Sequence, residues 1–178
     1  MSKQFVLSLV MLLLFSVFTL AQEKHQMNHN NHKSQYISEI NNDIKALTKE
    51  ELNHLLKGEG MGMAKAAELN SYPGPRHVLD FSSQLNLTSE QIEKTNELFK
   101  SMQTQAKKIG LLIIKKEKEL DSVFKTNKAE EELIRNKITE IAQLNSKLRF
   151  VHLDAHLKQK EILTVEQVNS YNRLKGYN

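Results

Sequence analysis

Apolar residues recur at intervals of three and four through the second half of the chain, a spacing typical of helices that pack along one face. One such run extends over residues 88–123 and predicts a helix of about 35 residues, on the order of 50 Å long. A second run of similar length covers residues 128–162, and Asn127 with Glu130 has the pattern of its N-cap. Because the joint between the runs is short, the pattern predicts an antiparallel helical hairpin with a coiled-coil-like seam.

A five-residue phrase occurs twice, once at the start of the first long run and once after the second long run, where it opens a final helix. Residues 87–91 read Leu-Thr-Ser-Glu-Gln, and residues 163–167 read Leu-Thr-Val-Glu-Gln. Threonine is a favourable N-cap, the glutamine three positions later completes a capping box, and the preceding leucine acts as a hydrophobic staple. Since the phrases mark the same end of a hairpin, we expect them to lie close together. The residues given this structural role are Leu87, Thr88, Gln91, Leu163, Thr164 and Gln167.

The segment ahead of the hairpin predicts short helices joined by loops. Isoleucine and leucine follow a helical spacing over residues 36–47, and Thr48 opens a capping box for a further short helix. Residues 58–63 are too rich in glycine to be helical, so we expect a loop whose methionines pack as apolar residues, the alternative being soft copper ligands. After a break at two prolines, a helix is expected over residues 76–85.

The composition supports an all-α chain and excludes several classes of chemistry. The 178 residues include only two prolines and six glycines, and cysteine is absent, which removes disulfides and thiolate metal sites. The net charge of +4 comes from basic residues interleaved with acidic ones, a balance that does not indicate nucleic-acid binding. No nucleophile–base signature, phosphate-binding glycine loop or zinc-protease motif occurs, so we do not expect an enzyme.

The first residues have the pattern of a cleavable secretory signal. Lys3 supplies a positive charge, residues 5–18 are almost wholly apolar, and residues 19–21 offer the small side chains of a cleavage site before Gln22. The alternative is an uncleaved membrane anchor, for which the apolar stretch is short. We therefore expect export to the periplasm. The organisation predicted is a signal at 1–21, a tail at 22–35, short helices and loops at 36–74, and a helical domain at 75–178.

The tail at residues 22–35 is polar and carries three histidines, His25, His29 and His32. Its composition fits a disordered linker, because it cannot bury enough apolar surface to fold alone. The same composition is also a cue for metal capture, since neutral imidazole binds Zn, Cu and Ni.

Two further histidines have a spacing that suits a metal ion. His152 and His156 are four residues apart, so on a helix both project from one face. Two ligands are an incomplete coordination sphere, and completion would need the tail histidines, His54, His77 or a second subunit. The alternative is a pair of histidines that merely flank the packed seam.

The first long helix combines lysines with apolar residues that its seam does not require. Such a surface suits acidic, partly unfolded chains or membrane headgroups, and the alternative is a solvated face that maintains solubility. The residues expected to contact a partner here are Phe99, Met102, Lys107, Lys108, Leu112, Lys115 and Lys116.

An exported, cysteine-free helical chain with paired Leu-Thr-x-x-Gln phrases resembles the Spy/CpxP family, over about residues 75–178. Relatives of that family include heavy-metal sensors and zinc-responsive proteins of the CnrX and ZraP type. The resemblance implies a four-helix fold in which a long hairpin with short flanking helices dimerises into a cradle. In the chaperone branch the concave face binds unfolded clients without ATP. In the sensor branch, histidines near the N-terminus and on the long helices bind nickel, cobalt, zinc or copper.

Two functions are therefore expected. The first is an ATP-independent periplasmic chaperone of the envelope stress response that requires no cofactor and acts as a homodimer on unfolded or misfolded periplasmic proteins. The second is a periplasmic heavy-metal sensor or resistance protein that binds Zn, Cu or Ni through His152, His156 and the tail histidines.

Overall fold

The structure is a computed structural model that describes residues 33–177. Of these residues 70% are helical, and they contain no strand, so the prediction of an all-α architecture is confirmed. From Ser38 onward they form one compact unit. The expected signal at residues 1–21 and the tail histidines lie outside the described residues. A short 3-10 helix at Ile37–Glu39 precedes six α-helices: α1 Lys49–Lys57, α2 Lys65–Glu68, α3 Pro75–Asp80, α4 Ser89–Lys125, α5 Glu131–Ile162 and α6 Val165–Lys175.

The two long helices α4 and α5 pack against each other along their length and run antiparallel. Near the start of α4, the Gln91 side-chain Nε2 donates to the backbone oxygen of Ile162 at 2.9 Å. Farther along, the Lys116 Nζ lies 2.7 Å from a carboxylate oxygen of Glu140. Sequence number thus rises on one helix as it falls on the other. The predicted pair of long packed helices is confirmed, and α4 has 37 residues.

The connection between the long helices differs from the expected cap. Glu130 is the N-cap of α5 and makes no side-chain cap hydrogen bond, so the cap pattern assigned to Asn127 is wrong. Asn127 instead has a φ of 55° in the turn that follows α4. Asparagine tolerates this left-handed conformation better than most residues, which explains its position better than capping does.

One apolar cluster joins α1 to the middle of the hairpin. Its buried members are Ile44, Leu55, Ala106, Ile113, Ile114 and Leu148. Gly110 on α4 allows the close approach of α1, because a Cβ atom added there would lie 2.4 Å from the backbone oxygen of Leu55. A contact that short with backbone cannot be accommodated unless α1 moves.

A second apolar cluster closes the end of the hairpin, where α3 and α6 meet the ends of the long helices. Its buried members are Val78, Leu85, Leu163, Val168 and Tyr171. Phe81 meets Tyr171 edge to face, with ring centroids 6.1 Å apart, a favourable aromatic geometry. Leu87 packs against the same cluster, so the leucines of both phrases belong to one core.

Two predicted helices are shorter than expected. The stripe over residues 36–47 forms only the 3-10 helix and turns, because Ile44 docks in the core while Ile37 and Ile40 remain exposed. The helix predicted over residues 76–85 ends at Asp80 and is followed by turns. In the first segment the docking of Ile44 overrides the helical spacing, and in the second the turns at residues 81–86 still bring Leu85 into the second apolar cluster.

Candidate functional site

The two Leu-Thr-x-x-Gln phrases form capping boxes that are bonded to each other. Thr88 accepts from the Gln91 N–H at 3.2 Å and Thr164 accepts from the Gln167 N–H at 3.2 Å. The two glutamine amides pair reciprocally, because the Gln91 Nε2 donates to Gln167 Oε1 at 2.8 Å and the Gln167 Nε2 donates to Gln91 Oε1 at 3.0 Å. This pair ties the start of α4 to the start of α6.

The amides of the two glutamines are fully used within the scaffold. Besides the reciprocal pair, the Gln91 Nε2 donates to the Ile162 backbone oxygen at 2.9 Å, and the Gln167 Nε2 donates to the Leu85 backbone oxygen at 3.3 Å. Each side-chain oxygen also accepts from the N–H of its own capping threonine. No donor or acceptor is left for a substrate, so the phrases act in the scaffold.

A lysine–leucine patch lies on the solvent side of α4 and comprises Lys107, Lys108, Leu111, Leu112 and Lys115. All five residues are exposed, with 55% of Leu111 and 42% of Leu112 accessible to solvent. Lys107, Leu111 and Lys115 follow at intervals of four, and Lys108 precedes Leu112 by four, so the residues form neighbouring rows. None of these lysines forms an ion pair with any residue that the structure describes. The patch therefore offers apolar area framed by positive charge.

The other three residues expected to contact a partner are engaged within the fold. The Phe99 ring is half-buried, with the Arg76 guanidinium carbon 5.9 Å from its centroid. Met102 is buried. Lys116 lies 2.7 Å from a carboxylate oxygen of Glu140, and this contact raises the lysine's pKa. These side chains are less available than the lysine–leucine patch.

The helical pair His152 and His156 lies where α5 meets the segment between α1 and α3. His152 is only 4% exposed, and its Nε2 has no hydrogen-bond partner among the described residues. Burial, and secondarily the charge of His156, lowers the pKa of His152, which favours its neutral form. The Nδ1 of His156 lies 2.7 Å from the Tyr72 backbone oxygen, so Nδ1 is the donor and Nε2 is left without a proton in the neutral ring.

The two histidines border a pair of cavities of about 240 and 270 Å³. His77 of α3 and Gly60 of the glycine-rich loop line both cavities as well. A Cβ added at Gly60 would lie 3.5 Å from the His152 Nδ1, and one added at Gly74 would lie 2.9 Å from the His156 Nε2. Glycine at position 74 lets the chain pass close to the His156 ring, whereas a Cβ at position 60 would make an ordinary van der Waals contact with the His152 ring. We call His77, His152, His156 and the two cavities the histidine pocket.

Glu68, the last residue of α2, connects the histidine pocket to α6. Its carboxylate accepts from the Tyr171 hydroxyl, from the Tyr177 hydroxyl at 3.2 Å and from the Gly74 N–H at 3.2 Å. Its Oε2 also lies 3.6 Å from the His156 Nδ1. Burial raises the pKa of Tyr171, and the bond to Glu68 raises it further, so the tyrosine remains a hydroxyl donor.

Sequence reasoning missed two of these residues and left the role of a third open. Leu111 was overlooked although it adjoins Leu112. Glu68 gave no signal, because its partners lie about a hundred positions later in the chain. His77 was one of several possible ligands, and only the chain reversal ahead of α3 brings it beside the α5 pair.

Among residues 33–177, no group of three or more histidine, aspartate or glutamate side chains already has the arrangement of a metal site. None of the described helices is both long enough and apolar enough to cross a membrane. Comparison with protein-family models, with curated proteins and with solved structures finds no match.

Proposed function

We propose that the protein is an ATP-independent holding chaperone that captures unfolded chains on the lysine–leucine patch of α4. The observation that carries this proposal is the exposure of Leu111 and Leu112 beside three lysines without ion pairs in the described part of the chain. Apolar side chains clustered in this way indicate an interaction surface more often than isolated ones do.

The chemistry of the patch defines the kind of partner that it favours. Burying a leucine fully stabilises a complex by about 1.5–3 kcal/mol, so the two leucines can hold an exposed apolar segment with modest affinity. The lysines attract negative charge from a distance and increase the rate of encounter. The preferred client is an unfolded segment in which apolar residues alternate with acidic ones.

The periplasmic setting and the assembly belong to the same proposal. The signal-like residues 1–21 support export, and the resemblance to the Spy/CpxP family supports a role in envelope stress and a cradle-like homodimer. The side-chain amides of Gln91 and Gln167 are taken up by scaffold bonds, and we propose that the protein binds clients without catalytic turnover.

The proposal is tested by measuring the fluorescence anisotropy of a labelled, permanently unfolded acidic client as protein is added. We expect the variant Leu111→Ser/Leu112→Ser to bind at least tenfold more weakly, which corresponds to about 1.4 kcal/mol. The matched control is Phe150→Ser/Leu157→Ser, which removes two exposed apolar residues from α5 and should bind like the parent. Equal loss in both variants, or no loss in either, contradicts the assignment of the patch.

The charge of the patch has its own test in the same assay. Replacing Lys107, Lys108 and Lys115 with glutamine should weaken binding at low salt and leave little difference at 0.5 M salt, because exposed charges are screened there. An affinity of the parent protein that is independent of salt would remove the electrostatic part of the proposal.

A further inference from the structure

Residues 38–57, which we call the strap, lie against the middle of the hairpin and contact it through apolar side chains. Ile44 and Leu55 are the buried members of the strap, with 2% and 4% of their surface exposed, and two partly buried leucines pack beside them. Because a Cβ atom added at Gly110 would lie 2.4 Å from the Leu55 backbone oxygen, α1 rests directly on α4. Removal of these side chains from water is what holds the strap in place.

No polar interaction fastens the strap to α4 or α5 in the part of the chain that the structure describes. Its backbone hydrogen bonds join residues of the strap to each other or to the loop that follows. Its side-chain bonds also remain within the strap, except that His54 pairs with Glu59 of that loop. The end of the hairpin differs, since the amides of Gln91 and Gln167 tie α4 to α6. A segment held by a few buried side chains opens locally at a lower free energy than the core of the hairpin.

The loop at residues 58–63 gives the strap a place to turn. Gly58, which ends α1, and Gly62 have φ values of 68° and 73°, and glycine has the widest choice of backbone conformations. No atom lies within 4 Å of a Cβ atom added at Gly62, so packing does not fix the loop there. Beyond the loop, Glu68 is anchored by the hydroxyl of Tyr171. The strap can therefore swing away while the chain from Glu68 onward stays in place.

The surface beneath the strap adjoins the lysine–leucine patch. Ala106 and Ile114 are buried in the apolar cluster that the strap closes, and they lie in one row of α4. The next row around the helix contains Lys107 and Leu111 of the patch. The strap reaches this border, because a Cβ atom added at Gly58 would lie 3.0 Å from the Lys107 Cγ. Release of the strap would thus extend the exposed apolar surface of the patch without a gap.

We propose that the strap is an intramolecular cap on the client-binding surface, and that its release adds the apolar surface beneath it to the lysine–leucine patch. The inference rests on the proposed chaperone function and adds a means of regulating it. In the closed form a client reaches the patch alone, whereas in the open form it also contacts the uncovered cluster. Since the client binds the open form more tightly, it shifts the population toward that form. The fraction of open chains then determines the apparent affinity.

The test loosens the strap without changing the patch. Leu55→Ser removes a buried anchor, whereas Gly110→Ala displaces α1 through the added Cβ atom and keeps every apolar side chain of the cluster. The matched control is Leu56→Ser, the same change one position along α1 at a side chain that is 47% exposed. Circular dichroism checks that each variant retains the long helices. If Leu55→Ser does not fold, Gly110→Ala decides the outcome.

Two measurements are made on the full chain. Without client, amides of residues 49–57 should exchange hydrogen at least about fivefold faster in Leu55→Ser and Gly110→Ala than in the parent, and ahead of the amides of α4 and α5. With the labelled, permanently unfolded acidic client, fluorescence anisotropy should show at least about fivefold tighter binding by the same two variants. Leu56→Ser should match the parent in both measurements.

Three results would overturn the inference. The first is parental exchange at residues 49–57 in both loosened variants, and the second is faster exchange there without tighter client binding. The third is equal tightening in Leu56→Ser, which would show that release of the buried anchor is not the cause. If the parent binds the client and the loosened variants bind it no more tightly, the cap is wrong and the chaperone function stands. If no variant binds the client, both proposals are wrong.

Discussion

Replacing Gln91 with alanine removes four hydrogen bonds at the end of the hairpin. Its Oε1 accepts from the Thr88 N–H at 3.1 Å and from the Gln167 Nε2 at 3.0 Å. Its Nε2 donates to the Ile162 oxygen at 2.9 Å and to the Gln167 Oε1 at 2.8 Å. Each bond contributes a net of about 0.5–1.5 kcal/mol to the free energy of unfolding. Because the former partners can bond to water at this partly buried site, we expect Gln91→Ala to lower the free energy of unfolding by about 2–4 kcal/mol.

The same reasoning predicts strong coupling between the two glutamines. Gln167→Ala also removes both bonds of the reciprocal pair, so those bonds are counted in each single variant but are lost only once in the double variant. The double variant should therefore be less destabilised than the sum of the single variants by about 1–3 kcal/mol.

The coupling is measured by urea denaturation of the parent, both single variants and the double variant, followed by circular dichroism. Gln105→Ala is the matched control, because Gln105 is exposed on α4 and bonds only within its own helix turn. It should change the free energy of unfolding by no more than about 0.5 kcal/mol. If the double variant loses the same free energy of unfolding as the sum of the two single variants, within about 0.3 kcal/mol, the two amides are not paired as described.

Three further predictions concern packing and ionisation. Gly110→Ala should lower the free energy of unfolding by about 1–3 kcal/mol through overpacking against Leu55, although alanine is the better helix former. An increased free energy of unfolding in urea denaturation would contradict the close approach of α1 to α4. Tyr171→Phe should lower the free energy of unfolding by about 1–2 kcal/mol, because Glu68 loses the hydroxyl that donates to it. An unchanged midpoint of urea denaturation would contradict that bond. Hydrogen bonds to two neighbouring carboxylates raise the pKa of His54 above 6.5. Its stabilising effect is therefore complete below pH 6.5 and is lost as the pH rises through the raised value. An NMR titration should give a pKa above 6.5, and His54→Ala should weaken the dependence of stability on pH in this window.

The sequence predicted the hairpin well because its determinants are local. A capping box requires only a threonine and a glutamine three positions later, and the structure contains both boxes, one at the start of the long helix α4 and one at the start of the short helix α6. The seam of α4 likewise follows from the spacing of its apolar residues. These features needed no information about distant parts of the chain.

The segment ahead of the hairpin could not be predicted in the same way. Its apolar spacing suggested a helix over residues 36–47, but Ile44 is the only one of its isoleucines that the core buries. Which isoleucine docks depends on the surface of α4, where Gly110 allows α1 to approach. That surface is determined by tertiary packing and is not visible in the local pattern.

In the candidate sites too, some residues could be predicted from local sequence and others depend on tertiary packing. His152 and His156 follow from a four-residue spacing on one helix, but their relation to His77 depends on how the loop and prolines between α1 and α3 reverse the chain. Glu68 joins that reversal to α6 through two tyrosines. Contacts between residues about a hundred positions apart leave no trace in the periodicity of one sequence.

Light scattering of an aggregating client tests the central claim most directly. An acidic client is denatured and diluted into buffer with an equimolar amount of the parent, Leu111→Ser/Leu112→Ser or Phe150→Ser/Leu157→Ser, in the absence of ATP. We expect the parent and the α5 variant to suppress scattering to a similar degree and the patch variant to lose most of this suppression. Unchanged aggregation in the presence of the parent, or full suppression by the patch variant, would contradict a chaperone that acts through the lysine–leucine patch.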